Sequence, residues 1–191
     1  MNEGTRFGRT VIVAVVGDLV DQNVDALVHP ANSRGLIGTA SPRSLRILGG
    51  VEIERDAMEQ APLELGSAIL TGPGQLADSG VRGVIHAVVQ PTLGAPVKLD
   101  TVRRAVKAAL EVADANRFRS IALPTMGAGA GVEGRERTLV WQAIVEEIVA
   151  YLRRTTTRLN RIVLVLRFED DIANITAVSA RARERLWHRP V

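Results

Sequence analysis

Cysteine is absent from the sequence. That excludes a disulfide framework, a thiolate nucleophile and a Cys-based zinc site, and it fits a reducing compartment, so a cytoplasmic location is expected. Aromatic residues make up only 3% of the chain. A base-stacking platform of the single-strand-binding kind is therefore poorly supplied. Long apolar runs are lacking too: none reaches the roughly 18 residues a membrane span needs. The N-terminal MNEGTRFGRT has no apolar h-region of the secretory kind, so no membrane partner is expected. No serine-hydrolase elbow, P-loop lysine or His-rich metal cluster is visible, and no metal ion or cofactor is expected.

What the sequence does have is 191 residues, 46% of them apolar, in many short runs. This suits one domain over 1–191, with a core at about 10–168 and a closing helix at about 172–187. The formal charge is +3. Its excess is arginine near the C-terminus: Arg153, Arg154, Arg158, Arg161, Arg181, Arg183, Arg185 and Arg189. Such a surface can hold nucleic acid, or it can be a set of solvated helix faces.

Strand-like and helix-like segments alternate. Thr10–Val16 reads as a strand ending at Gly17-Asp18, and Asp25–His29 as a second ending at Pro30. A Gly-, Ser- and Arg-rich loop follows to about Gly49, then a helical pattern from Gly50 to about Gln60. Ser67–Thr71, Val81–Gln90, Ser120–Pro124 and Arg161–Phe168 are further strands, the last with the run Ile162-Val163-Leu164-Val165-Leu166. Asp100 suits the N-cap of a helix carrying Val102, Val106, Ala109, Leu110 and Ala113 on one face, with Asn116 as its stop. Helices from about Glu136 to Arg153 and from Ile172 to Leu186 complete the pattern. It predicts a three-layer α/β/α sandwich. In such folds ligands bind beyond the carboxyl ends of strands, so the loops after His29 and Pro124 stand out.

The loop Thr125-Met126-Gly127-Ala128-Gly129-Ala130-Gly131-Val132-Glu133-Gly134 follows a strand and opens a helix. Glycines let backbone N–H groups close on an anion, and the helix N-terminus adds partial positive charge. A phosphate-binding loop is the functional reading, and a flexible turn the bland one. Gly129–Gly134 also spells G-x-G-x-x-G. The dinucleotide fingerprint, however, belongs on a first βαβ unit, with an acid about 20 residues on, and neither condition holds here.

Taken with that loop, Gly17-Asp18-Leu19 and Asp25-Ala26-Leu27-Val28-His29-Pro30-Ala31-Asn32 resemble the macrodomain pattern. Leu65-Gly66-Ser67-Ala68, Thr71-Gly72, Val84-Ile85-His86-Ala87-Val88 and Ser120-Ile121-Ala122-Leu123-Pro124 fall in the family's order. The resemblance spans about Val11 to Phe168. It implies a central, mostly parallel mixed sheet and a cleft for ADP-ribose at its C-terminal edge. It further implies Asp18, with Leu19 beside it, on the adenine amino group, Phe168 packed on adenine, and Asn32, after Ala31, on the distal ribose. Gly49, Gly50 and Val51 match the first glycine loop. Pro124, Met126, Gly127, Ala128, Gly129, Ala130 and Gly131 match the second. Each residue has a plainer alternative: Asp18 as a turn former, Phe168 as core, Asn32 as a loop cap.

Three departures bear on activity. His29 replaces the pattern's first Asn, and it and His86 read more readily as packed residues than as catalysts. Arg34 to Leu48 lengthen the loop before the glycines. Glu52 stands where the hydrolase branch often has Asp. The expectation is a binder of ADP-ribose, free or attached to protein or nucleic acid. The alternatives are a metal-free hydrolase or O-acyl-ADP-ribose deacylase, with Asn32 holding ribose and Glu52 orienting water, and a nucleic-acid-binding protein using the arginines.

Overall fold

The apolar runs form one mixed sheet of seven strands with helices on both sides. The computed structural model describes residues 4–38, 43–126 and 135–187. The strands are β1 (Thr5–Phe7), β2 (Thr10–Val16), β3 (Ala26–Asn32), β4 (Ala68–Thr71), β5 (Gly83–Gln90), β6 (Ser120–Pro124) and β7 (Arg161–Leu166). Their spatial order is β1-β2-β7-β6-β3-β5-β4. The five inner strands run parallel, while β1 and β4 pair antiparallel at the edges.

Side chains alternate faces along a strand, so a sheet covered on both sides needs apolar residues at every position. On one face Val28, Ile85, Leu123 and Leu164 join Val106 and Leu110 of α3 (Leu99–Ala115), Trp141 and Ile148 of α4 (Arg135–Arg154), and Ile175 and Val178 of α5 (Asp170–Ala182). On the other, Leu27, Val84, Ala122 and Val163 meet Leu45 of α1 (Arg43–Gly49) and Ile53 of α2 (Glu52–Glu59). Among the described residues no helix is long and apolar enough to cross a membrane.

Four local expectations need correction. The second strand does not end at His29 but continues through Pro30 to Asn32. β6 pairs with β3 only at Ala26 and Leu27, so by Pro30 one flank of the strand has no ladder to break. The stretch from Asn32 to Gly49 is not all loop, since α1 closes it. This seven-residue helix is too short to persist alone, and it packs on the 3-10 turn Leu19–Asp21 and on the segment Gly74–Ser79. The helical pattern from Gly50 starts at Glu52, because Gly50 has φ +86°. Asp100 does not cap α3; Lys98 holds the N-cap, and the Asp100 carboxylate accepts from Arg104 Nε at 3.1 Å. Asn116 is the C-cap, as its position suggested. The short β1 lay in no predicted segment.

Candidate functional site

Parallel strands end on a common edge. Val16, Leu166, Pro124 and Asn32 close β2, β7, β6 and β3, which are successive neighbours in the sheet. The residues at and just past these ends therefore line up in the order Asp18, Phe168, Met126, Asn32. β2 and β7 stay paired to their ends, so Asp18 and Phe168 follow adjacent strand ends, whereas β3 pairs with β6 only at Ala26 and Leu27 and reaches Asn32 unpaired on that flank. Residues distant in sequence are thus brought to one edge.

At the β2–β7 end, Gly17 N–H donates to Leu166 O at 3.2 Å and ties the two strand ends together. Asp18 is the N-cap of the turn Leu19–Asp21: its Oδ1 accepts from Val20 N–H at 3.3 Å, and its backbone oxygen accepts from Gln22 Nε2 at 2.8 Å. Phe168 is 53% exposed, so its ring is a surface and not core packing.

The β3 end is built differently. Asn32 is fully buried. Its Nδ2 donates to Leu36 O at 2.6 Å, and its Oδ1 accepts from Arg34 N–H at 3.0 Å and Leu36 N–H at 3.4 Å. The amide shapes the turn that leads into the added loop. One residue further, Ile37 N–H donates to Glu54 Oε1 at 2.8 Å, and Arg46 Nε lies 3.3 Å from Glu54 Oε2. Glu54 therefore joins the loop after β3 to both α1 and α2. It was not among the residues anticipated. The sequence signal was an acid at the buried helical position next to Ile53, unusual on an apolar face.

Glu52, the anticipated carboxylate, is exposed, and its Oε2 rests where a Cβ on Gly50 would stand. Gly50 needs its left-handed φ, and any side chain there would displace Glu52. Gly49 and Gly50 are buried, and Val51 is 63% exposed. A Cβ on Gly74 would strike the Gly49 carbonyl oxygen, so the first glycine loop is held against a second turn. Leu19, Ala31 and Met126 have buried side chains, which leaves only their backbone for a ligand. Pro124 is half-buried. Gly127, Ala128, Gly129, Ala130 and Gly131 lie outside the described residues.

His29 and His86 are opposed across β3 and β5, both buried, with their Nδ1 atoms 3.3 Å apart. For the two Nδ1 atoms to bond, one ring must donate and the other accept, so the accepting ring is neutral. His86 Nε2 is 3.0 Å from Thr71 Oγ1. Burial lowers the pKa of His86 to about 4. His29 lies well below the ordinary value, through burial first and the neighbouring His86 second. They are packed residues, set back from the sheet edge. No group of three or more His, Asp or Glu side chains among the described residues could hold a metal ion.

The comparisons agree with this geometry at the level of fold. The Oceanobacillus iheyensis macrodomain with ADP superposes with a TM-score of 0.80 at 20% identity, covering 95% of this chain and 96% of that one. The Trypanosoma brucei macrodomain in complex with ADP-ribose gives 0.72 at 22% identity, covering 87% and 68%. In sequence, a relative from Aquifex aeolicus is 43% identical over 137 residues, 72% of this chain and 80% of its own length. The model of the Macro domain family matches residues 28–139, more than half the chain, and the protein belongs to that family.

Proposed function

We propose that this chain binds ADP-ribose, free or attached to protein or nucleic acid, along the C-terminal edge of its sheet. The observation that carries the reading is the order along that edge. An acceptor carboxylate and an exposed aromatic ring stand at one end, the start of the glycine-rich loop in the middle, and an amide-built turn at the other. A carboxylate accepts from an exocyclic amine, an aromatic ring packs on a base, and backbone N–H groups with a helix N-terminus suit a diphosphate. Solved macrodomains of the same fold hold ADP and ADP-ribose, which supports the choice of ligand. Calorimetric titration should give micromolar-range affinity for ADP-ribose, about −8 kcal/mol. AMP should bind more weakly, lacking the distal ribose. Absence of ADP-ribose binding at millimolar concentration would overturn the proposal.

A second reading, hydrolysis of ADP-ribose conjugates or O-acyl esters, draws on Glu52, an exposed carboxylate beside the glycine loop. Turnover should be slow, because Asn32 is engaged by its own loop and about 1 Å of misplacement costs about a hundredfold. Rapid release of ADP-ribose from a modified protein, abolished by Glu52→Gln, would reverse that preference.

A further inference from the structure

Phe168 stands at the end of β7 with more than half its surface open, so the core does not orient its ring. Another group does. The guanidinium Cζ of Arg137, in the first turn of α4, lies 5.0 Å from the ring centroid. This is within the distance at which a cation is attracted to an aromatic face. Arg137 is itself anchored: its Nε donates to Asp171 Oδ1 at 2.9 Å, and the Asp171 side chain is only 4% exposed. Asp171 N–H donates in turn to Phe168 O at 3.2 Å, which closes a loop of contacts through ring, guanidinium, carboxylate and backbone. The guanidinium thus lies over the ring and is itself held by a buried carboxylate, while more than half of Phe168 stays open to solvent.

We propose that Arg137, fixed by Asp171, is the positioning residue for the adenine platform, holding the Phe168 ring at the angle at which a purine stacks on it. This rests on the reading that the chain binds ADP-ribose with its base on Phe168. Only arginine fits the role. Its guanidinium donates through Nε to Asp171 while its Cζ lies over the ring; a lysine ammonium can approach Asp171 or the ring but does not join them rigidly.

The test is a double-mutant cycle read by calorimetry with ADP-ribose and AMP, using Arg137→Lys, Phe168→Leu and the double variant. Arg137→Lys keeps a cation beside buried Asp171, and thermal melting checks that it folds. If it does not, Arg137→Gln with Asp171→Asn replaces the ion pair by neutral hydrogen-bonding groups. Arg137→Lys should weaken both ligands about fivefold to tenfold, within the range of a cation–π contact. In the Phe168→Leu background the same change should have no further effect. An equal loss in both backgrounds, or no loss in the wild-type background, would overturn the positioning role while leaving ADP-ribose binding intact. Failure of the wild-type chain itself to bind ADP-ribose would overturn both.

Discussion

The two ends of the candidate cleft are made in opposite ways. At the β2–β7 end, the groups offered to a ligand are on the surface: Phe168 is half-open, and Asp18 is a partly exposed cap of a short turn. At the β3 end the polar groups are inside. Asn32 is fully buried, Glu54 is nearly so, and both are engaged by the loop and helix beyond β3. On the proposed function the first end is a platform that selects by what it displays. The second is a frame whose side chains hold backbone in place. Polar side chains therefore do different work at each end, and substitution should separate binding from stability.

Asn32→Ala should show the largest effect, and it should fall on stability. The change strips partners from the Leu36 carbonyl and from the Arg34 and Leu36 N–H groups. At about 1–3 kcal/mol for each polar group left unsatisfied, a loss of about 4 kcal/mol is expected in urea unfolding. ADP-ribose binding should fall with it. Unchanged stability with lost binding would mean that Asn32 works as a displayed group after all.

Acid should act next, on the interior of β3 behind that end. An ordinary histidine titrates near 6.5, whereas His86 is held at about 4 and His29 well below its usual value. Between those values the unfolded chain takes up protons that the fold refuses. Stability is therefore full above about pH 6.5, falls as pH drops toward 4, and levels below the folded value. For His86 alone the loss is about 3 kcal/mol. Unfolding free energies measured across that window should lose much of their slope in His86→Gln. A wild-type chain equally stable at pH 7.5 and pH 4.5 would contradict the neutral pair.

Asp18→Ala should be the mildest and fall mainly on binding, by about 2 kcal/mol, the range for a hydrogen bond to a charged group. Loss of the cap to Val20 N–H adds a smaller cost in stability, about 1 kcal/mol. Titration with an adenine analogue lacking the amino group checks the assignment: wild type should lose affinity for it, and the variant should not discriminate. Equal preference in both would remove Asp18 from the base site.

Much of the displayed end was legible in advance. The apolar runs of β2, β6 and β7 give strand ends by inspection, and a parallel sheet sends those ends to one edge. Asp18 and Phe168 were singled out by the resemblance to the macrodomain pattern, and the structure sets each just past the end of an apolar strand. The framed end was not legible in this way. The helix Arg43–Gly49 lies in a stretch rich in Gly, Ser and Arg and is stabilised by docking, which local propensity does not report. Pro30 reads as a stop, yet the strand runs past it.

Two pairings mark the boundary between local and global information. The alternation of strand and helix is already present in the chain, and with it the sheet, its buried faces and the edge at which loops gather, because periodicity is a local property. Folding in three dimensions was needed to make Glu54, and not Glu52, the carboxylate drawn inward, and to bring Arg137 to Phe168 across Asp171. Two residues separated by two positions on one helix stand roughly 200° apart around its axis, so one faces solvent while the other faces the protein. Which of them finds a backbone N–H and an arginine there depends on chain arriving from elsewhere in the fold.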